Sequence, residues 1–222
     1  MILSEQSLKE QLPNMLHKYP ELQVAEQKTN LINLKGYIHV YRSGSNFTIN
    51  SKYYVRISIP FNTNLLPSIF EIGNQLSPEY PHKYANGKLC LETDINIAQR
   101  FKNGLSLIEW MDEYVETYFF SYEYYKRFGT FPFGEHKHGF QGLLENYSSL
   151  FHENDLFKTY KIMKSISQEN YRGHMLCPCG SNKKIRNCHK QFIKDFYMDE
   201  NLKQVVRKNY ETIAKEVSKT NV

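Results

Sequence analysis

The chain has 222 residues and a mass of 26.3 kDa, with 28 Lys and Arg against 23 Asp and Glu and a net charge of +5. Hydrophobic residues make up 41% and charged residues 23%, the composition of a folded protein rather than a disordered one. No stretch approaches the roughly 20 apolar residues that cross a bilayer, and the polar opening MILSEQSLKE is unlike a secretory signal. A collagen, a membrane protein and a secreted disulfide scaffold are excluded, and a cytoplasmic location is expected.

In chain order, Leu8, Leu12, Met15, Leu16 and Tyr19 fall at helical spacing between Ser4 and Tyr19. Ser7 and Glu10 fit a capping box, and Pro13 predicts a kink or a restart. Leu34, Ile38 and Val40 and then Val55, Ile57 and Ile59 alternate with other residues, and Ser43-Gly44-Ser45-Asn46 between them is turn chemistry. An antiparallel meander follows, with a further short strand near Ile69 to Ile72. The stretch from Leu76 to Asp94 has no period and is punctuated by Pro78, Pro81, Asn86 and Gly87, so it reads as irregular. Ser106 and Glu109 then form a second capping box ahead of a wide apolar stripe, Leu107, Trp110, Met111, Tyr114, Val115 and Tyr118, in a helix ending near Gly129. A linking helix to about Gln168 and an amphipathic C-terminal helix (Leu202, Val205, Val206, Ile213, Val217) complete the pattern. The fold class is α+β. Three parts are expected: one body over 1–150, a helical linker over 151–175, and a small module with the terminal helix over 176–222.

Charge is divided unevenly: residues 1–150 carry 14 basic and 15 acidic side chains, residues 151–222 carry 14 and 8. The positive excess therefore lies in the last third, where it fits either a nucleic-acid or acidic partner or a solvated face. The cysteines are divided too. Cys177, Cys179 and Cys188 are clustered and Cys90 stands alone, which suggests one metal site and one free thiol rather than a disulfide framework.

The run CPCGSNKKIRNCHK supplies two thiols one residue apart, a Gly180-Ser181-Asn182 turn, and a vicinal Cys188-His189 pair. Three thiolates and one imidazole close the four positions of a tetrahedral structural zinc site and leave none open for Lewis-acid chemistry. These fourteen residues resemble the SEC-C zinc motif of the preprotein-translocase ATPase. The resemblance implies Cys177, Cys179, Cys188 and His189 as ligands and a docking role, with Lys183, Lys184, Arg186 and Lys190 adding charge. Asn182 stands where that family usually has Gly and is expected to take a left-handed turn conformation.

Cys90 lies in YPHKYANGKLCLE, after a Pro bend and an Asn86-Gly87 turn and between Leu89 and Leu91. Such a segment holds a thiol at a loop end, with Lys83, Lys88 and His82 near enough in sequence to favour a thiolate. By itself the residue fits a small buried hydrophobe as well as a nucleophile.

In this segment the chain resembles the ubiquitin-conjugating enzymes, whose active-site run is His-Pro-Asn, five residues, Asn-Gly-x-Ile-Cys-Leu. Pro81, Asn86-Gly87, Leu89 and Cys90-Leu91 match at the family's spacing, and IPFNTNLLPSIF (59–70) looks like its Pro-containing strand approach. Tyr80 and His82 replace the family's His and Asn. The resemblance implies the family's fold over residues 1–150, with Cys90 as the thioester-forming nucleophile. His82 then either stabilises the oxyanion and takes the lysine proton or only braces the loop.

The run FGTFPFGEHKHGFQGLLENY (128–147) looks like a segment of bacterial relatives, some of them encoded in antiphage (CBASS) operons. His136 and His138 are candidates for either a site wall or a surface. The implied chemistry passes the C-terminal acyl group of a ubiquitin-like protein, or of a cyclic-oligonucleotide-producing nucleotidyltransferase, through Cys90 to an amine. A separate activating enzyme would supply the energy, since no Walker or dinucleotide loop is present. Two other readings remain: an inactive relative serving as a binding module, and a nucleic-acid-binding protein using the basic zinc tail. The second is weakened by the scarcity of stacking aromatics in that tail. No membrane partner is expected.

Overall fold

The computed structural model describes residues 2–43, 47–134 and 139–220. The chain divides into two compact units, Met1–Glu135 and His136–Val222.

The first unit begins with helix α1 (Glu5–Lys18), running through Pro13 without a break. Its N-cap is Ser4, whose hydroxyl accepts the Ser7 N–H at 3.0 Å. The expected Ser7–Glu10 box is therefore not the cap, because Ser7 already lies inside the helix and its hydroxyl accepts from Gln11 instead. Four antiparallel strands follow in the order β1 (Leu22–Lys28), β2 (Leu31–Ser43), β3 (Thr48–Pro60) and β4 (Ser68–Glu71). In the β2–β3 register Ile32 faces Ile59, Leu34 faces Ile57 and Ile38 faces Tyr53, which puts the alternating apolar residues on one buried face. Gly36 in β2 lets β1 cross close by. A Cβ there would lie 1.9 Å from the Glu21 carbonyl oxygen, and its φ of +151° disfavours a side chain as well.

Helix α2 (Asp94–Lys102) precedes a longer helical run: α3 (Leu107–Trp110), a π-helical stretch (Met111–Glu116) and α4 (Thr117–Phe128). The Ser106–Glu109 capping box is present with both of its hydrogen bonds, and the run ends at Gly129. Leu107, Trp110, Met111, Val115 and Phe119 join the buried sheet face and Leu8 and Met15 of α1 in one core.

The carboxylates along this helical run meet two buried phenols. The Tyr19 hydroxyl donates to Glu116 at 2.9 Å and Asp112 at 3.1 Å, and that of Tyr53 donates to Glu123 at 2.6 Å. Burial, reinforced by these carboxylates, pushes both phenols far above their ordinary value of 10.0. Because the folded values are raised, this stabilisation is complete below the unfolded phenol pKa and is lost as pH rises towards the folded values. Resistance of the first unit to urea unfolding is thus expected to fall steeply above about pH 10, with a flatter slope in Tyr19→Phe and Tyr53→Phe. Unchanged slopes in both variants would contradict this account.

The second unit is helical: α5 (Gly139–Phe151), α6 (Leu156–Gln168), a 3-10 turn (Ile185–Asn187), α7 (Lys190–Met198) and α8 (Glu200–Thr220). Tyr147, Phe151, Ile162, Met163, Ile166, Ile193, Phe196, Leu202, Val206 and Ile213 are buried. Two buried polar groups here are paired: Asn209 donates to the Tyr147 hydroxyl at 3.0 Å, and the Lys203 ammonium to the Glu169 carbonyl at 2.8 Å. The break between units falls before the 150 boundary read from sequence, because the apolar face of α5 packs with α6, α7 and α8. For the same reason residues 151–175 contribute a core helix to this unit rather than a linker. Val217 lies more than a third exposed near the end of α8, outside the buried stripe. The architecture is α+β, with a four-stranded antiparallel sheet. Among the described residues no helix is long and apolar enough to cross a membrane.

Candidate functional site

Cys90 follows a short hairpin. Tyr84 N–H donates to the Lys88 carbonyl at 2.9 Å and Gly87 N–H to the Tyr84 carbonyl at 2.8 Å, with Gly87 at φ +83°. The Asn86 side chain accepts the Lys88 N–H at 3.0 Å, so the Asn-Gly pair closes the turn. Leu89 is fully buried and its N–H donates to the Ile69 carbonyl of β4 at 2.9 Å. Cys90 N–H donates to the His82 carbonyl at 2.9 Å. The thiol is thus held by two backbone tethers, one on the sheet and one on the preceding loop, and it remains partly exposed.

The neutral thiol donates to the Tyr84 hydroxyl at 3.4 Å, and the same hydroxyl can turn to donate to the sulfur as a thiolate. Burial pushes the Cys90 thiol above its ordinary value, opposed by the Tyr84 hydrogen bond and the Lys88 ammonium. Lys88 itself pairs with Asp94 at 3.2 Å and lies 5.7 Å from the centre of the Tyr84 ring. Lys83 is exposed.

His82 holds Cys90 through its main chain, and its carbonyl also accepts from the Tyr118 hydroxyl at 3.1 Å. Its ring packs edge-on against Phe131 at 4.9 Å and beside Tyr80 at 5.4 Å. Tyr80 is buried at the centre of this aromatic wall, against Tyr118, Tyr122 and Tyr125. An open cavity of about 350 Å³ is lined by Glu92, Asn96, Gln99, Arg100, Asn103 and Tyr114. Tyr84 and Tyr118 carry no motif signal, since the hairpin and the long helical run bring them to Cys90 and His82. His136 and His138 lie outside the described residues.

In the second unit Cys177, Cys179, Cys188 and His189 offer ligand atoms that all lie within 4.8 Å of one another, close enough to hold a metal ion. The Cys179 and Cys188 sulfurs are 3.6 Å apart, and His189 Nδ1 is 3.3 Å from the Cys177 sulfur and 3.2 Å from that of Cys188. The local chain explains the convergence. Asn182 takes φ +57°, the left-handed turn expected at this position, and Cys177 N–H donates to the Lys183 carbonyl at 2.7 Å. The 3-10 turn then returns Cys188 to the first pair, and His189 opens α7.

Burial pushes the Cys177 thiol up to about 12. Burial also acts against ionisation of Cys179, but hydrogen bonds from Ser181 hold its thiol below the ordinary value. Burial lowers the His189 pKa against the opposing charge of Glu153, which keeps the imidazole neutral and able to ligate at neutral pH. Lys183, Lys184, Arg186 and Lys190 are exposed around this cluster.

No protein-family model, no curated protein and no solved structure matches the chain.

Proposed function

We propose that the chain is a cysteine-dependent acyl carrier and transferase resembling the ubiquitin-conjugating enzymes, with a structural zinc centre in its second unit. The observation that carries this reading is the setting of Cys90. A partly exposed thiol follows an Asn-Gly hairpin, pinned by its backbone, with a hydroxyl 3.4 Å from the sulfur and a lysine that favours the thiolate.

In this reading the Cys90 thiolate attacks the activated C-terminal carbonyl of a ubiquitin-like protein, or of a CBASS nucleotidyltransferase. That tail arrives as a thioester on a separate activating enzyme, whose thiol leaves. The exchange is near balance because one thioester replaces another. An amine then attacks the Cys90 thioester, loses a proton, and takes the acyl group as an isopeptide bond while the thiol departs. Tyr84 donates to the sulfur as it leaves, and His82 braces the loop through its carbonyl.

A role in antiphage defence follows from the resemblance of residues 128–147 to the bacterial relatives. The donor chemistry of the metal centre suits zinc: bonds of about 2.3 Å to sulfur and about 2.0 Å to nitrogen would give tetrahedral edges of about 3.8 and about 3.5 Å. The observed separations, 3.6 Å between sulfurs and 3.2 to 3.3 Å from sulfur to nitrogen, lie near these edges.

Incubation with an activating enzyme and a candidate modifier is expected to give a thiol-labile adduct that is absent in Cys90→Ala. An adduct that persists in that variant contradicts the reading. One observation favours a second reading, a binding module that keeps the fold without the chemistry. Burial raises the Cys90 pKa, and a thiol kept neutral is a poor nucleophile.

A further inference from the structure

His189 Nδ1 lies 3.3 Å from the Cys177 sulfur and 3.2 Å from that of Cys188, while its other nitrogen, Nε2, lies 3.6 Å from Glu153 Oε2. Both side chains are nearly enclosed, at 11% and 13% exposure. A carboxylate so enclosed is costly unless it is paired. Its other oxygen, Oε1, accepts the Asp155 N–H at 3.1 Å, which leaves Oε2 directed to the imidazole.

The chain aims this carboxylate by a specific device. His152 takes the left-handed conformation, φ +52°, immediately after α5. His152 N–H donates to the Ser149 carbonyl at 3.3 Å and Glu153 N–H to the Ser148 carbonyl at 3.0 Å, the paired bonds of a Schellman helix end. Ser148 Oγ closes the turn from the other side by donating to the Glu153 carbonyl at 2.5 Å. The His152 ring stacks on Phe192 of α7 at 4.1 Å, three residues past His189. The end of α5 is therefore held against the start of α7 at two adjacent residues, His152 at Phe192 and Glu153 at His189.

We infer that Glu153 is a positioning residue for the metal centre: it holds His189 Nε2–H, fixes the tautomer that offers Nδ1, and couples metal binding to the α5–α6 turn. This rests on the reading of the four-residue cluster as a metal centre. Ligating histidines characteristically give their second N–H to such an acceptor, and its loss lowers metal affinity by about 10–100-fold. At 3.6 Å the pair stands just beyond a direct hydrogen bond, and a small movement of either side chain closes it once the metal fixes the ring.

The test measures zinc affinity of the full chain by competition with a chromophoric chelator, in a double-mutant cycle. Glu153→Ala is expected to weaken zinc binding by about 10–100-fold. Glu153→Gln recovers part of the loss, because its amide oxygen still accepts from Nε2–H. In a His189→Cys background, where a fourth thiolate replaces the imidazole, Glu153→Ala is expected to change nothing. Equal losses in both backgrounds would make Glu153 a support of the turn alone and overturn the inference, as would full affinity in Glu153→Ala. Should the Ala variant fail to fold, the same comparison is made with Glu153→Gln, whose smaller loss must also vanish in the Cys background. A native chain that takes up no zinc would instead remove the metal-centre reading itself.

Discussion

On the proposed reading of the Cys-His cluster as a zinc centre, removing the metal is expected to unfold the second unit and leave the first folded. The four ligands span only thirteen positions, yet they fix the 3-10 turn, the start of α7 and, through Ile185 and His189, part of the buried interior of residues 136–222. Structural zinc contributes roughly 10–16 kcal/mol of apparent binding free energy at neutral pH, against a typical domain stability of about 5–15 kcal/mol. Cys177 and Cys179 are buried thiols whose repulsion as thiolates only a cation relieves. The first unit keeps its own core, built on Trp110, Tyr53, Phe119 and Leu34.

Hydrogen exchange with and without a zinc chelator checks this. Protection is expected to collapse in α6, α7 and α8 and also in α5, while β2 and β3 stay protected. One cooperative transition of the whole chain would contradict it. Cys179→Ser is expected to act in the same direction as the chelator.

The second large effect concerns the reactivity of Cys90. Only the thiolate reacts with iodoacetamide, so below the thiol pKa the rate rises about tenfold per pH unit. Burial raises that pKa, so the native thiol is expected to react more slowly at about pH 7.5 than the same residue in urea. The neighbours set the signs of the variants. Tyr84 and Lys88 lower the pKa, so Tyr84→Phe and Lys88→Ala slow the reaction; Glu92 and Asp94 raise it, so Glu92→Gln and Asp94→Asn speed it. Alkylation rates across a pH series read these shifts directly. A native thiol that does not react at any pH before unfolding would favour the binding-module reading over the transferase.

What the sequence shows is what short-range spacing dictates. The β2–β3 pair is legible because one face is buried, so apolar residues alternate from Ile32 to Val40 and from Ile49 to Ile59. The Ser106–Glu109 box and the Cys-His cluster are legible because their members lie within a few turns of one another. Strand β1 is not, since only Leu22 is buried and Gln23, Glu26 and Gln27 face water on an outer strand. Helix α2 is hidden by its length, nine residues, directly after the stretch that reads as irregular. Spacing points to Ser7 as the cap of α1, but the first turn starts earlier and Ser4 takes that place. Tyr84 and Glu153 act at a distance set by a hairpin and by a helix end, which no spacing rule encodes. The break near residue 135 depends on which core α5 joins, a tertiary choice.

The most direct test of the acyl-transfer account is intact and peptide-level mass spectrometry of the loaded protein, comparing the native chain with Cys90→Ser. The account predicts a modifier tail on Cys90 that thiols release. In Cys90→Ser it predicts the same tail on the introduced hydroxyl, as an ester that thiols leave and alkali cleaves. A tail mapped to any other residue in the native chain, or no tail on Cys90 while the activating enzyme is charged, would contradict it.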